Sequence, residues 1–132
     1  MSNNLTVTPE SAAAIDTTTL QTYIHAAVES LEAIKTDPSI SAIAAAARSH
    51  VSGVTPLDSN VDREGQRLSL QVITALKAAK QLVETGKATI KDPEITLELI
   101  SNWINDLSMR SPARIYNVSQ TLKDILHSIQ LA

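Results

Sequence analysis

The chain has 132 residues, 43% of them apolar, with no cysteine, no phenylalanine and a formal net charge of −3. That length fits one domain able to bury a core unaided, and the lack of cysteine excludes disulfides, thiolate chemistry, iron–sulfur clusters and cysteine-based zinc sites. No apolar run approaches the roughly 20 residues needed to cross a bilayer, and the opening MSNNLTVTPE lacks the basic start and apolar run of a signal peptide, so no membrane span and a cytoplasmic location are expected.

A core of Ala, Ile, Leu and Val, with aromatics confined to Tyr23, Trp103 and Tyr116, suits close-packed helices better than a sheet. The predicted fold is all-α: an up-and-down antiparallel bundle of four long helices plus one short helix. It forms one helical-bundle domain over 1–132, in which residues 1–16 are an N-terminal arm. All five prolines follow Asp, Ser or Thr, at Thr8-Pro9, Asp37-Pro38, Thr55-Pro56, Asp92-Pro93 and Ser111-Pro112. Each pair reads as an N-cap followed by the first helical residue, because the side-chain oxygen accepts an orphan amide and proline supplies a helical φ.

Within the arm, Pro9 to Ile15 can form a short helical turn. The first long helix starts at Asp16 or Thr17 and ends near Thr36, with Leu20, Tyr23, Ile24, Ala27, Val28, Leu31 and Ile34 as its apolar stripe. A second, shorter helix runs from Pro38 to about Ser52, with Ile40, Ile43, Ala44, Ala47 and Val51 inward. The longest uninterrupted periodicity lies between Val61 and Gly86, in a helix that could nucleate as early as Pro56. Its apolar positions Val61, Gly65, Leu68, Val72, Ala75, Leu76, Ala79, Leu82 and Val83 recur at steps of three and four. Gly53 and Gly86 sit just past periodic runs, where a left-handed residue ends a helix. Residues Lys87 to Lys91 read as a loop or a frayed continuation. A fourth helix from Pro93 to about Met109 carries Leu97, Ile100, Ile104 and Leu107 on one face, broadened by Ile95, Leu99 and Trp103, and is expected to be well buried. The last helix spans Pro112 to about Leu131, with Ile115, Val118, Leu122, Ile125, Leu126 and Ile129 inward. Connections this short make consecutive helices antiparallel neighbours.

Side chains that could carry chemistry do not converge. His25, His50 and His127 belong to three different helices; Glu29 and Asp124 lie at contact spacing from His25 and His127, which reads as helix-surface pairing rather than metal ligation. None fits the Glu-x-x-His pattern of bundle-type di-iron sites. Glu94 and Glu98 fall in the first turns of a helix, where acidic residues favour the macrodipole. There is no nucleophile elbow and no glycine-rich phosphate cradle. No catalytic residue, metal or cofactor is expected, and the chain reads as a non-enzyme.

Charge is more informative. Residues 1–62 carry two basic against seven acidic side chains, whereas residues 63–91 carry six basic against two acidic. Four surplus charges without interleaved aromatics argue against nucleic acid and favour an acidic protein partner. Lys77, Lys80 and Lys87 lie at helical spacing beside the alanines of the third helix. They either snorkel over its apolar stripe or edge a small-residue groove that receives an acidic amphipathic helix. Trp103 reads as core, with a partner anchor as the alternative.

The string Ala78-Ala79-Lys80-Gln81-Leu82-Val83, inside an alanine-rich helix, resembles helices of the vinculin, talin and α-catenin bundles and of the GIT-type focal-adhesion-targeting bundle. Leu20 to Ile34, LQTYIHAAVESLEAI, is similar to the first helix of GIT-like domains and of related regions in yeast polarisome scaffolds. In this chain the six-residue string lies in the third helix rather than the last, and a short second helix is inserted. The resemblance implies a scaffold or adaptor domain that binds an amphipathic helical motif in cytoskeletal, adhesion or cell-polarity assembly, with Lys77, Lys80 and Lys87 as partner-binding residues. The alternative is a structural, self-associating helical protein (a homo-oligomer) or an accessory subunit of a larger complex.

Overall fold

The computed structural model describes residues 16–49 and 59–131. It is all-α apart from one minimal two-stranded sheet. The elements are α1 (Thr17–Thr36), α2 (Pro38–Ser49), α3 (Ser59–Glu84), β1 (Ala88–Thr89), α4 (Pro93–Met109), α5 (Arg114–His127) and β2 (Gln130–Leu131). The expectations for Pro9 to Ile15, Thr8-Pro9, His50, Val51, Gly53 and Thr55-Pro56 fall outside the described residues.

Local chemistry sets the helix ends. Asp16 Oδ1 accepts the Thr19 amide at 2.8 Å, which caps α1 and holds the Asp16 carboxyl below its ordinary range. Asp37 serves two helices. Its amide donates to the Ala33 carbonyl to close α1, and its Oδ1 accepts the amides of Ser39 at 2.9 Å and Ile40 at 3.4 Å to open α2. At the end of α3, Gly86 takes φ +76°; its amide reaches the Val83 carbonyl at 3.1 Å while the Lys87 amide reaches that of Leu82 at 2.9 Å. Those two bonds make a Schellman cap.

Two proline signals act differently from the sequence expectation. Asp92 precedes Pro93 but sits at φ +49° with no side-chain cap bond; instead the Thr96 hydroxyl donates to the Lys91 carbonyl at 2.7 Å. Pro112 lies in a turn closed by the Arg114 amide on the Ser111 carbonyl at 2.9 Å, so α5 begins at Arg114. Its far end also stops early, at His127, because the chain turns into β2. That strand pairs antiparallel with β1, Ala88 opposite Leu131 and Thr89 opposite Gln130. Within Lys87 to Lys91 the loop reading holds for Lys87, Ile90 and Lys91, while Ala88 and Thr89 form a strand, and Ala88 and Ile90 are buried there.

Tertiary contacts fix the helix directions. The α4–α5 turn lies against the beginning of α3, where a Cβ on Gly65 would stand 2.5 Å from the Pro112 carbonyl oxygen, so α4 runs antiparallel to α3. At the same end the Tyr116 hydroxyl donates to the Val61 carbonyl at 3.2 Å, and β1 and β2 join the opposite ends of α3 and α5, which are thus parallel. Glu32 and Lys35, late in α1, bond Lys123 and Gln120 of α5, while Gln21 and His25, early in α1, share a cleft with Leu126 and His127. The four long helices alternate in direction, as expected of an up-and-down bundle.

α3 is the centre. It packs most extensively on α1, then on α4, and touches α5 and α2 as well, whereas α1 and α4 scarcely meet. Its stripe fulfils the periodicity: Leu68, Val72, Ala75, Leu76, Ala79 and Leu82 are fully enclosed. The inward positions of α1 and α5 agree with expectation except that Tyr23 of α1 points outward, 40% exposed. α4 departs further. Only Ile100 and Leu107 are buried, while Ile95 is 71% and Leu99 40% exposed, because α4 has α3 along one side and only slight contact with α5.

Candidate functional site: the outer face of α3 and α4

The C-terminal half of α3 divides sharply by face. Ala75, Ala78 and Ala79 point inward and are at most 3% exposed. The small-residue groove anticipated beside the lysines is therefore filled by the chain's own helices, and the alanines let those helices approach closely. On the opposite face the sequence places Leu70, Thr74 and Lys77, all exposed, with Ile73 and Lys80 half-buried at the edge. Lys87 follows the Schellman cap and is exposed, and Lys91 is exposed beyond β1.

These cations are uncompensated by contact. Lys77, Lys80, Lys87 and Lys91 make no ion pair among the described residues, although Lys87 lies near enough to Asp16 to help lower its pKa. The Arg and Lys residues that do pair are elsewhere: Arg67 on Glu64 at 2.5 Å, Arg110 and Arg114 on Asp106 at 3.7 and 3.3 Å, and Lys123 on Glu32. Lysines without ion pairs at one end of one helix raise the local positive potential, offset in part by exposed Glu84 in the same turns. They can hold carboxylates of a second molecule without first breaking a bond.

α4 carries exposed apolar side chains of its own. Ile95 and Leu99 are one turn apart, with exposed Glu94 and Glu98 beside them that make no ion pair among the described residues, and Met109 at the far end of the helix is 78% exposed. Trp103 stands at the edge. Half-buried against the core, it carries the Arg114 guanidinium 5.7 Å from its ring centroid, a cation–π distance, and its Nε1 is buried without a hydrogen-bond partner. It is a packing residue of the α4–α5 junction.

The histidines lie apart from this face. His25 Nε2 is 3.0 Å from the Glu29 carboxylate, both largely exposed, so that contact-spacing pair forms. Asp124 instead accepts the Gln120 amide at 2.8 Å. His25 and His127 come together at the rim of an apolar cleft of about 280 Å³ between α1 and α5, lined also by Ile24, Val28, Leu126 and Ile129. Sequence spacing could not show that juxtaposition, which depends on the antiparallel packing of helices distant in the chain. Among the described residues no three metal-ligating side chains converge, and no helix is long and apolar enough to cross a membrane.

Tyr116, with Ser69 and Ser119, is among the buried residues with polar groups that periodicity missed. It is 1% exposed, bonds Val61 through its hydroxyl and accepts the Arg48 guanidinium on its carbonyl at 3.0 Å. Burial, reinforced by nearby Glu64, pushes its hydroxyl pKa up to about 12. It ties α2, α3 and α5 together and is structural. Compared with protein-family models, curated proteins and solved structures, the chain finds no match in any of the three.

Proposed function

We propose that this is a non-enzymatic scaffold or adaptor domain that binds an acidic amphipathic helix on the outer face of α3, with Lys77, Lys80 and Lys87 as the charged contacts. The observation that carries this reading is the cluster of lysines left without ion pairs beside exposed Leu70. An exposed apolar side chain beside lysines suits an amphipathic helix that presents carboxylates at the edge of its apolar face. The likeness of the Ala78 to Val83 string to adhesion and polarity bundles suggests cytoskeletal, adhesion or cell-polarity assembly as the setting. The test is fluorescence anisotropy of labelled acidic amphipathic peptides titrated with the protein at rising salt. Binding is expected to weaken with salt and to fall at least tenfold in Lys77→Glu/Lys80→Glu; affinity unchanged by that double reversal contradicts the site.

A further inference from the structure

α2 is held differently from every other described helix. α1, α3, α4 and α5 each bury Leu or Ile side chains, whereas the buried residues of α2 are Ala44 and Ala47 alone. We propose that α2 is a strap that opens as one unit about Asp37 while α1, α3 and α5 stay packed, uncovering the surfaces of those three helices beneath it.

Three observations carry it. First, lifting α2 returns little apolar surface to water. Its two buried side chains are single methyl groups, Ile40 and Ile43 are half-buried, and Ala42, Ala45 and Ala46 are already exposed. Stabilisation by burial scales with apolar area, which places α2 at the low end of the local stabilities within one fold. Second, the bundle holds without it: α1, α3 and α5 each pack directly on the other two. Third, the hinge is already built. Asp37 is the single residue between α1 and α2. Its amide closes α1, while its Oδ1 accepts the Ser39 and Ile40 amides and its carbonyl accepts the Ser41 amide at 2.8 Å to open α2. The N–Cα bond of Asp37 separates those two sets of groups. Rotation about its φ, −94° and inside the broad extended region, therefore swings α2 without breaking either cap. Two bonds beyond the hinge hold the strap down, the Ser41 hydroxyl on the Ile34 carbonyl at 2.7 Å and the Arg48 guanidinium on the Tyr116 carbonyl at 3.0 Å. Opening hands the partners of both bonds to water, so it leaves no buried polar group unpaired there.

Native-state hydrogen exchange of the full chain, followed by NMR in urea concentrations below the unfolding transition, tests it. The amides of Ala42 to Ser49 should share one opening equilibrium, with protection at least tenfold below that of Leu68, Val72, Leu76 and Leu82 in α3. Their exchange should also depend less on urea, because opening α2 exposes less surface than global unfolding. Arg48→Met, which keeps the stem and removes the donor, and Ser41→Ala should each speed exchange across α2 at least threefold. Leu76→Ala should speed exchange in α3 at least tenfold and leave α2 unchanged, because Leu76 stays packed when α2 is open; Leu76→Met makes the same comparison at a smaller cost to folding. Equal protection and equal urea dependence in α2 and α3 overturn the proposal, since α2 then opens only with the whole molecule. Protection that declines residue by residue toward Ser49 overturns the single unit in favour of end fraying. Acceleration of α2 and α3 by the same factor in the Leu76 variants overturns it as well.

Discussion

Tyr116 joins three helices through two hydrogen bonds, and the hydroxyl bond is the one that a single atom can remove. Tyr116→Phe leaves the Val61 carbonyl without this donor and is expected to cost about 1 kcal/mol, read by urea denaturation at neutral pH. The same hydroxyl makes stability pH-dependent. Its folded pKa is raised to about 12 from the ordinary 10, so the stabilisation is complete below about pH 10 and is lost as pH rises toward the folded value; the full effect is roughly 2–3 kcal/mol. In Tyr116→Phe the alkaline loss between those limits should shrink correspondingly. Gly65 is the other position with no slack. A Cβ there would lie 2.5 Å from the Pro112 oxygen and 2.9 Å from its carbonyl carbon, so Gly65→Ala must push the α4–α5 turn off α3. A loss of about 2 kcal/mol or more is expected, and a midpoint unchanged from wild type would refute this account of the turn.

Among the elements, α3 and α4 illustrate how burial follows from neighbours rather than from composition alone. α3 is surrounded, so Leu76→Ala, at a fully enclosed position, is expected to cost about 3 kcal/mol, whereas Leu70→Ala on its outer face should change stability by less than about 0.5 kcal/mol; chemical denaturation of the pair checks the facing directly. The periodicity of α1, α3 and α5 made their inward faces legible in the sequence, because each has a single apolar stripe and the core accepts it. The wide stripe of α4 was equally legible, but how much of it would be covered was not. That depends on the slight contact between α4 and α5, which no local pattern encodes. The Asp37 cap and the Gly86 terminus followed from side-chain and backbone chemistry within a few residues. The β1–β2 pairing joins segments more than forty residues apart and lacks the alternating run that marks a strand, so nothing local announced it.

At the scale of the whole molecule, the charge split of the sequence becomes a surface. The alanines beside Lys77 and Lys80 serve internal packing, so the docking face we propose is the outer side of α3, where exposed Leu70 shares the helix with lysines that make no ion pair among the described residues. The lysines could be named from sequence; their lack of ion pairs among the described residues could not, since it depends on which helices pack together. The histidine-rimmed cleft between α1 and α5 is the competing surface. Backbone amide chemical-shift mapping by NMR, with an acidic amphipathic peptide added to the dilute chain, separates the two most directly. The account predicts perturbations centred on Leu70, Ile73, Lys77 and Lys80; perturbations centred instead on Ile24, His25, Leu126 and His127 would contradict it.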